Sequence, residues 1–184
     1  MLTSEDRQWF RQLNQGNREA WQRIYEKYRV RLFTMALALT GRPELAEDCL
    51  QDVFVRLAER AGYLQVRSNL FGYLTMALLN RARDVLRRSA RQVSEPVEQI
   101  GKSYPGPRPL DRMIRDEQFA ALVRALGQLP LEQREVFILH NQGGLSFRAI
   151  ADQQGVSLRT VHSRYRYAIE KLRKLLHVEV FHGR

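Results

Sequence analysis

The stretch "GVSLRTVHSRYRYAIEKL", residues 155–172, decides how the rest of the chain is read. Val161, Tyr165, Ala168 and Leu172 follow one another at steps of four, three and four, which places them on one face of a helix. Arg159, Ser163 and Arg166 fall on the opposite face, with Thr160 and Tyr167 beside them. Just upstream, in "LSFRAIADQQ", Ile150 and Ala151 close a short apolar stripe. Gly155 comes four residues after Ala151, Ser157 stands where a side chain caps the next helix, and Val161 comes ten residues after Ala151. This is the spacing of a helix-turn-helix, with a small residue where two helices touch, glycine at the turn and apolar residues locking the crossing. The second helix of that motif lies in the major groove, where arginines bond guanine edges or phosphates and hydroxyls bond phosphates. A plain helical hairpin with a solvated basic face has the same pattern, so the assignment depends on the rest of the chain.

Helical periods also dominate upstream, and no alternating strand pattern stands out. Thr3 and Asp6 have capping-box spacing ahead of a short helix with Trp9, Phe10 and Leu13. Trp21, Ile24, Tyr25, Tyr28, Leu32 and Ala36 trace a long amphipathic helix that Gly41 and Pro43 punctuate. A third helix begins near Glu44 and carries Ala46, Leu50, Val53, Phe54 and Leu57 as its apolar stripe. A loop from Tyr63 to Asn69 leads into a fourth, over about residues 70–91. Residues 94–110, "SEPVEQIGKSYPGPRPL", hold four of the six prolines and two glycines, and sustain no helix. Helical patterns resume from about 111 to 177. The fold expected is all-α, with two small helical domains, 1–92 and 112–184, the second containing the helix-turn-helix. A Pro/Gly-containing linker, 93–111, joins them.

Lysine and arginine number 30 against 20 acids, a formal net charge of +10, which favours a polyanionic partner. The one cysteine, Cys49, excludes an internal disulfide. The four histidines are scattered, so neither a metal nor a cofactor is expected. "MLTSEDRQWF" has no secretory pattern, and no apolar run approaches the ~18 residues of a membrane span. The expected location is cytoplasmic, without membrane insertion. Glu19, Glu44, Asp48 and Asp52 have no nucleophile or metal constellation around them, and no Gly-rich phosphate loop occurs. Catalysis is therefore not expected.

Two further segments carry chemistry. In "FGYLTMALLNRARDVLRRSAR", residues 71–91, the apolar stripe is Phe71, Leu74, Leu78, Ala82 and Val85. The other face reads Tyr73, Met76, Asn80, Asp84, Arg87 and Arg91, flanked by Arg81, Arg83 and Arg88. An exposed ring, an amide and a basic end suit unpaired bases and their phosphates. A solvated basic face, with arginines placed well for the helix dipole, explains the same residues. In "AEDCLQDVFVRL", residues 46–57, Asp48, Gln51 and Asp52 surround an exposed Val55. An acidic patch around an apolar residue on a basic chain suits a protein partner, and equally an ordinary solvated helix.

Taken together, these blocks resemble the extracytoplasmic-function group of bacterial sigma factors over roughly residues 16–176. "AEDCLQDVFVRL" is similar to the family's A-E-D-x-x-Q-[DE]-x-F. "FGYLTMALLNRARDVLRR" is similar to its aromatic–Leu, Ala–x–Asn and Asp–x–x–Arg-Arg spacing. "LGQLPLEQREVFILHNQGGLSFRAIADQQGVSLRTVHSRYRYAIEKLRKLL" is similar to its L-x-x-L-P-x-x-x-R-x-V-F, G-L-S, I-A, G-V-S and T-V-x-S-R. The resemblance implies a subunit that binds core RNA polymerase, recognises two promoter elements and helps open the duplex. It places Asp48, Gln51, Asp52 and Phe54 toward the polymerase clamp. Phe54 sits on the buried stripe, which moves the expected contact to Asp48, Gln51, Asp52 and Val55. Asn80, Asp84, Arg87 and Arg88 match the promoter-melting helix, with Tyr73 and Arg91 on the same face. The loop from Tyr63 to Asn69 corresponds to a base-capturing loop. Arg159, Thr160, Ser163, Arg164 and Arg166 fall on the distal-element recognition helix. Expected partners are core polymerase, promoter DNA as duplex and as melted non-template strand, and an anti-sigma factor.

This chain departs from the family pattern at Tyr73, usually Trp, at Ala149, usually an acid, and at His162, commonly Lys. Its linker is also richer in proline. The alternative reading is a helix-turn-helix regulator that binds DNA without being a polymerase subunit.

Overall fold

Single residues set the helix boundaries around the longest helix of the chain. Asn17 Oδ1 accepts from the backbone N–H groups of Glu19 (2.9 Å) and Ala20 (3.1 Å), so the helix starts there. Gly41 ends it with φ 71°, donating its N–H to the Leu37 carbonyl at 2.8 Å. Pro43 opens the next helix, where a missing N–H costs nothing.

The structure is a computed structural model that describes residues 4–63, 70–92 and 117–176. Among the described residues there are eight helices and no strand. They are α1 (Ser4–Asn14), α2 (Arg18–Thr40), α3 (Pro43–Glu59), α4 (Leu70–Gln92), α5 (Glu117–Gly127), α6 (Leu131–Asn141), α7 (Phe147–Gln154) and α8 (Leu158–Leu176). The expected linker, Thr3 and the loop after Tyr63 lie outside the described residues.

The helix α2 is the centre of the first four. Ile24, Leu32 and Phe33 on α2 have no solvent exposure, and α3 and α4 close over them with Phe54, Leu57, Leu70, Leu74, Leu78 and Leu79. Trp21 stacks on Tyr25 at 5.3 Å, and Phe54 meets both rings edge-on. The helix α1 docks by Phe10 and Leu13, with buried Asp6 taking the Lys27 ammonium at 2.8 Å. Burial, then a hydrogen bond to Asp6, pushes the Tyr28 phenol well above its ordinary pKa.

The last four helices pack around α8. Val161, Ala168 and Leu172 are buried on α8, as are Val136, Leu139, Ile150 and Leu126 on the helices packed against it, and all belong to the one hydrophobic core that also takes in the first four helices. The turn between α6 and α7 is Gly143–Gly144. Gly143 donates to the Ile138 carbonyl, and Leu145 to the Leu139 carbonyl, both at 3.0 Å. Gly144 has φ 68°, while Gly143 is needed for a close approach.

The two sets of helices share α2. From Met35 to Thr40 six consecutive residues are buried, although a helix against one partner buries only a stripe. The far side of this stretch is covered by α5 and α6.

A Cβ at Gly143 would lie 2.5 Å from the Leu139 carbonyl oxygen and 3.1 Å from Leu139 Cα. Backbone must move to admit it. Gly143→Ala should cost about 1–3 kcal/mol and lower the melting temperature of the full chain by roughly 5 °C. Gly127→Ala, where a Cβ meets nothing within 4 Å, should leave it nearly unchanged in the same calorimetric scan.

Candidate nucleic-acid and protein interfaces

The acidic face of α3 forms because its opposite side is committed to the core. Ala46, Cys49, Leu50, Val53, Phe54 and Leu57 are buried, which turns Asp48, Gln51 and Val55 outward. Val55 is 46% exposed, an apolar residue left among polar neighbours. Asp52 is less free, because its carboxylate pairs with Arg81 of α4. Burial pushes the Cys49 thiol behind this face up to about 11, so it stays protonated and unreactive.

On α4, Asn80, Arg87 and Arg88 are exposed, and Arg87 Nη2 stands 3.8 Å from Asp84. Tyr73, expected on the exposed face, is half-buried against the core, as is Met76. The reason is the width of the buried arc, which takes in Thr75 and Leu79 besides the expected stripe. Arg91 belongs to α4, but its side chain lies outside the described residues. Tyr63 is 91% exposed at the start of the loop that follows α3.

The helix-turn-helix is α7 and α8. Gly155 carries φ 65° and donates to the Ala151 carbonyl, ending α7. Ser157 Oγ accepts the Thr160 N–H at 3.1 Å and shares a hydroxyl contact with Thr160 Oγ1 at 2.8 Å, starting α8. Thr160 is thereby tied to the cap and half-buried. Arg159, Arg166 and Tyr167 project outward, with the Arg166 guanidinium 5.3 Å from the Tyr167 ring and Ser163 half-exposed between them. Arg164 turns inward and donates to Gln154 Oε1 at 2.8 Å. His162 is exposed beside the Phe147 ring at 4.6 Å.

Behind the helix-turn-helix an aromatic layer fixes its tilt. Tyr165 lies over Phe137, and His140 stacks on Phe147 at 4.1 Å. His140 Nδ1 is 3.0 Å from the Leu145 carbonyl, which can only accept, so Nδ1 carries the proton.

The seam between the two sets of helices is built largely by arginines. Arg31 donates to the Gln142 carbonyl from Nε at 2.9 Å while its guanidinium covers Phe71 at 4.0 Å. Arg134 reaches the Leu39 carbonyl at 2.6 Å and those of Gly127 and Leu129 at 2.8 and 3.1 Å. These carbonyls lie at or just beyond the ends of α2 and α5, where helices leave acceptors unmet. Burial holds the Arg134 pKa below its ordinary value. Arg83 grips Glu135 with two bonds, Nε to Oε1 at 2.6 Å and Nη2 to Oε2 at 2.5 Å. That bond raises the Arg83 pKa.

None of these seam contacts was read from the sequence. Glu135 had a signal: it lies three and four residues before Ile138 and Leu139, an acid on an apolar stripe. Its partner 52 positions away had none. No helix among the described residues is long and apolar enough to cross a membrane.

Two family profiles match the chain. The family profile described as "Sigma-70 region 2" matches residues 24–92, and "Sigma-70, region 4" matches residues 119–172. The ECF RNA polymerase sigma factor SigM of Mycobacterium tuberculosis is 30% identical over 161 residues, covering 88% of this chain and 79% of SigM. The structure of CnrH in complex with the cytosolic domain of CnrY aligns with TM-score 0.67 at 24% identity, over 96% of this chain and 100% of that one. The sigma factor RpoE in complex with the anti-sigma factor NepR, from Bartonella quintana, aligns with TM-score 0.62 at 24% identity, over 86% and 99%.

Val161 has no exposure and holds α8 to its domain. Val161→Asp should cost the chain about 3–5 kcal/mol, because it buries an unpaired charge. The check is a denaturant melt of the full chain, with Arg159→Ala melting as the parent does.

Proposed function

The chain belongs to the ECF group of RNA polymerase sigma factors, and from that premise we propose how its exposed faces divide the work. As a sigma factor it directs promoter-specific transcription with core RNA polymerase. Three exposed faces of different chemistry, on α3, α4 and α8, are the observation that supports the division. The α3 face, with Asp48, Gln51 and Val55, is the polymerase contact. It joins an apolar centre to a polar rim, the composition of a protein interface. Asp52 contributes less directly, because it holds Arg81.

The α4 face captures melted promoter DNA. Asn80 reads a base edge, Arg87 and Arg88 hold phosphates, and Asp84 orients Arg87. Tyr73 stacks at the edge of this face, and Arg91 extends the basic end. The α8 face reads the distal element as duplex, through Arg159 near the helix start and Arg166 two turns on. Thr160 acts by capping α8, and Ser163 lies between the two outward arginines. The domain with α1–α4, residues 1–92, handles polymerase and the proximal element. The domain 112–184 handles the distal element, and 93–111 joins them. Acting without active-site chemistry of its own, the chain works in the cytoplasm. An anti-sigma factor is a further proposed partner, since NepR is seen on RpoE, which shares the fold.

The deciding experiment is run-off transcription with core polymerase on a genomic promoter library, alongside a core-polymerase pull-down. Transcripts from a discrete promoter set are expected. A chain that binds duplex DNA but neither polymerase nor any promoter in this assay would instead be a regulator acting alone.

Within that assay, Asp48→Lys should weaken polymerase binding by about 1 kcal/mol or more without loss of helicity. Unchanged affinity would remove the assigned contact.

Tyr73→Ala should reduce permanganate reactivity of the melted strand more than it reduces duplex binding, since a stacked base is worth about 1–3 kcal/mol. Arg159→Ala should relax preference at one promoter position by about 1–3 kcal/mol. Arg166→Ala should weaken all sequences alike and lower the salt slope by about one. Binding to randomised duplexes at several salt concentrations separates the last two.

A further inference from the structure

Where the end of α1 meets the end of α3, arginines gather without acids to pair with. Arg7 and Arg11 on α1, Arg18 at the start of α2, and Arg56 and Arg60 at the end of α3 are all exposed. Among the described residues no ion pair takes any of them, whereas Arg23, Arg81, Arg83 and Arg148 each have a carboxylate. The acids of α1 and the first turn of α2 are committed elsewhere. Glu5 and Asp6 face Lys27, and Glu19 faces Arg23. That leaves Glu59 beside a group of cations. Arg18 also opens α2 at the positive end of the helix dipole, where a cation gives the helix nothing. The fold does not account for this charge.

These arginines form one surface. Asn14 Oδ1 accepts the Gly62 N–H at 3.3 Å, which ties the end of α1 to the turn carrying Tyr63. Arg7, Arg11 and Asn14 follow at steps of four and three, so the two arginines lie on the flank of α1 that makes this bond. On α3, Asp52, Arg56 and Arg60 follow at steps of four, and Asp52 pairs with Arg81 of α4. The α3 arginines therefore continue a ridge that borders α4. From α4 the surface runs past Arg56, Arg60 and the 91% exposed ring of Tyr63 to Arg11 and Arg7.

We propose that this surface binds the phosphates of single-stranded DNA, and that α1 carries the strand beyond the stretch held by α4. This rests on the reading of α4 as the helix that captures melted promoter DNA. The surface is continuous with that face and has the opposite charge to a phosphate backbone. Its exposed ring suits unpaired bases, whose faces are free to stack. A protein partner would need an apolar centre, and the exposed Val55 lies on another face of α3. The matched region 2 profile begins at residue 24, so the family likeness assigns no role to α1.

Fluorescence anisotropy of the full chain with a random-sequence single strand of about 20 nucleotides, read over a range of salt concentrations, tests this. Arg7→Gln combined with Arg11→Gln should weaken binding about fivefold at low salt. It should also lower the salt slope by about 1.4, since each phosphate contact on a single strand contributes about 0.7. Arg60→Gln, on the other helix, should lower the slope by about 0.7. Arg42→Gln combined with Arg124→Gln removes the same charge from exposed positions on other surfaces, and should leave the slope unchanged. With a duplex of the same length, the Arg7 and Arg11 variant should bind as the parent does. An unchanged single-strand slope would overturn the proposal. So would an equal loss from the Arg42 and Arg124 variant, or an equal loss on duplex. Arg87→Gln combined with Arg88→Gln separates the proposal from the reading of α4. If that variant alone loses single-strand binding, the α1 surface falls and the α4 reading stands. If only the Arg7 and Arg11 variant loses it, the α4 reading falls and the α1 surface stands.

Discussion

The rest of the molecule depends on the last two turns of α2. Met35, Ala36, Leu37, Ala38, Leu39 and Thr40 point around the full circumference of the helix, and all six are buried. An isolated four-helix unit leaves one side of such a helix in water. Here α3 and α4 cover one side while α5 and α6 cover the other. Each methylene removed from water contributes about 0.8 kcal/mol, so a segment with no polar side strongly favours both contacts at once. Thr40 fits because its hydroxyl bonds back to the Ala36 carbonyl at 2.8 Å.

Around that apolar centre, arginine does two opposite jobs. Arg87, Arg88, Arg159 and Arg166 project into water and keep that surface positive. Arg31, Arg83 and Arg134 are folded into the seam, where their planar forks meet carbonyls and a carboxylate with several bonds each. The flat net charge of +10 conceals this division. Arg164 lies on α8 with Arg159 and Arg166, yet it is bonded to Gln154. The α3 face reflects the same economy of charge. Asp48 is open to a partner, whereas Asp52 spends its carboxylate on Arg81 and ties α3 to α4.

The sequence by itself determined the helix-turn-helix, and it did so through local chemistry. Gly155, Ser157 and Val161 act within a dozen residues of Ala151: one supplies a left-handed turn, one a cap, one a buried anchor. Pattern and spacing likewise placed α2, α3 and α4 and turned Asp48, Val55, Asn80 and Arg87 outward, since a helical period fixes which residues share a face. What only the tertiary structure decided is where charges end up when two outward faces meet. The period marks Arg83 and Arg164 as surface residues, because it knows only their own helices. Glu135 reads as an anomaly on an apolar stripe until α4 arrives from 52 residues away to pair with it. Tyr73 reads as exposed until the width of the buried arc on α4 is known. Contacts between distant segments leave no periodic trace in either one, so the seam belongs to the fold alone.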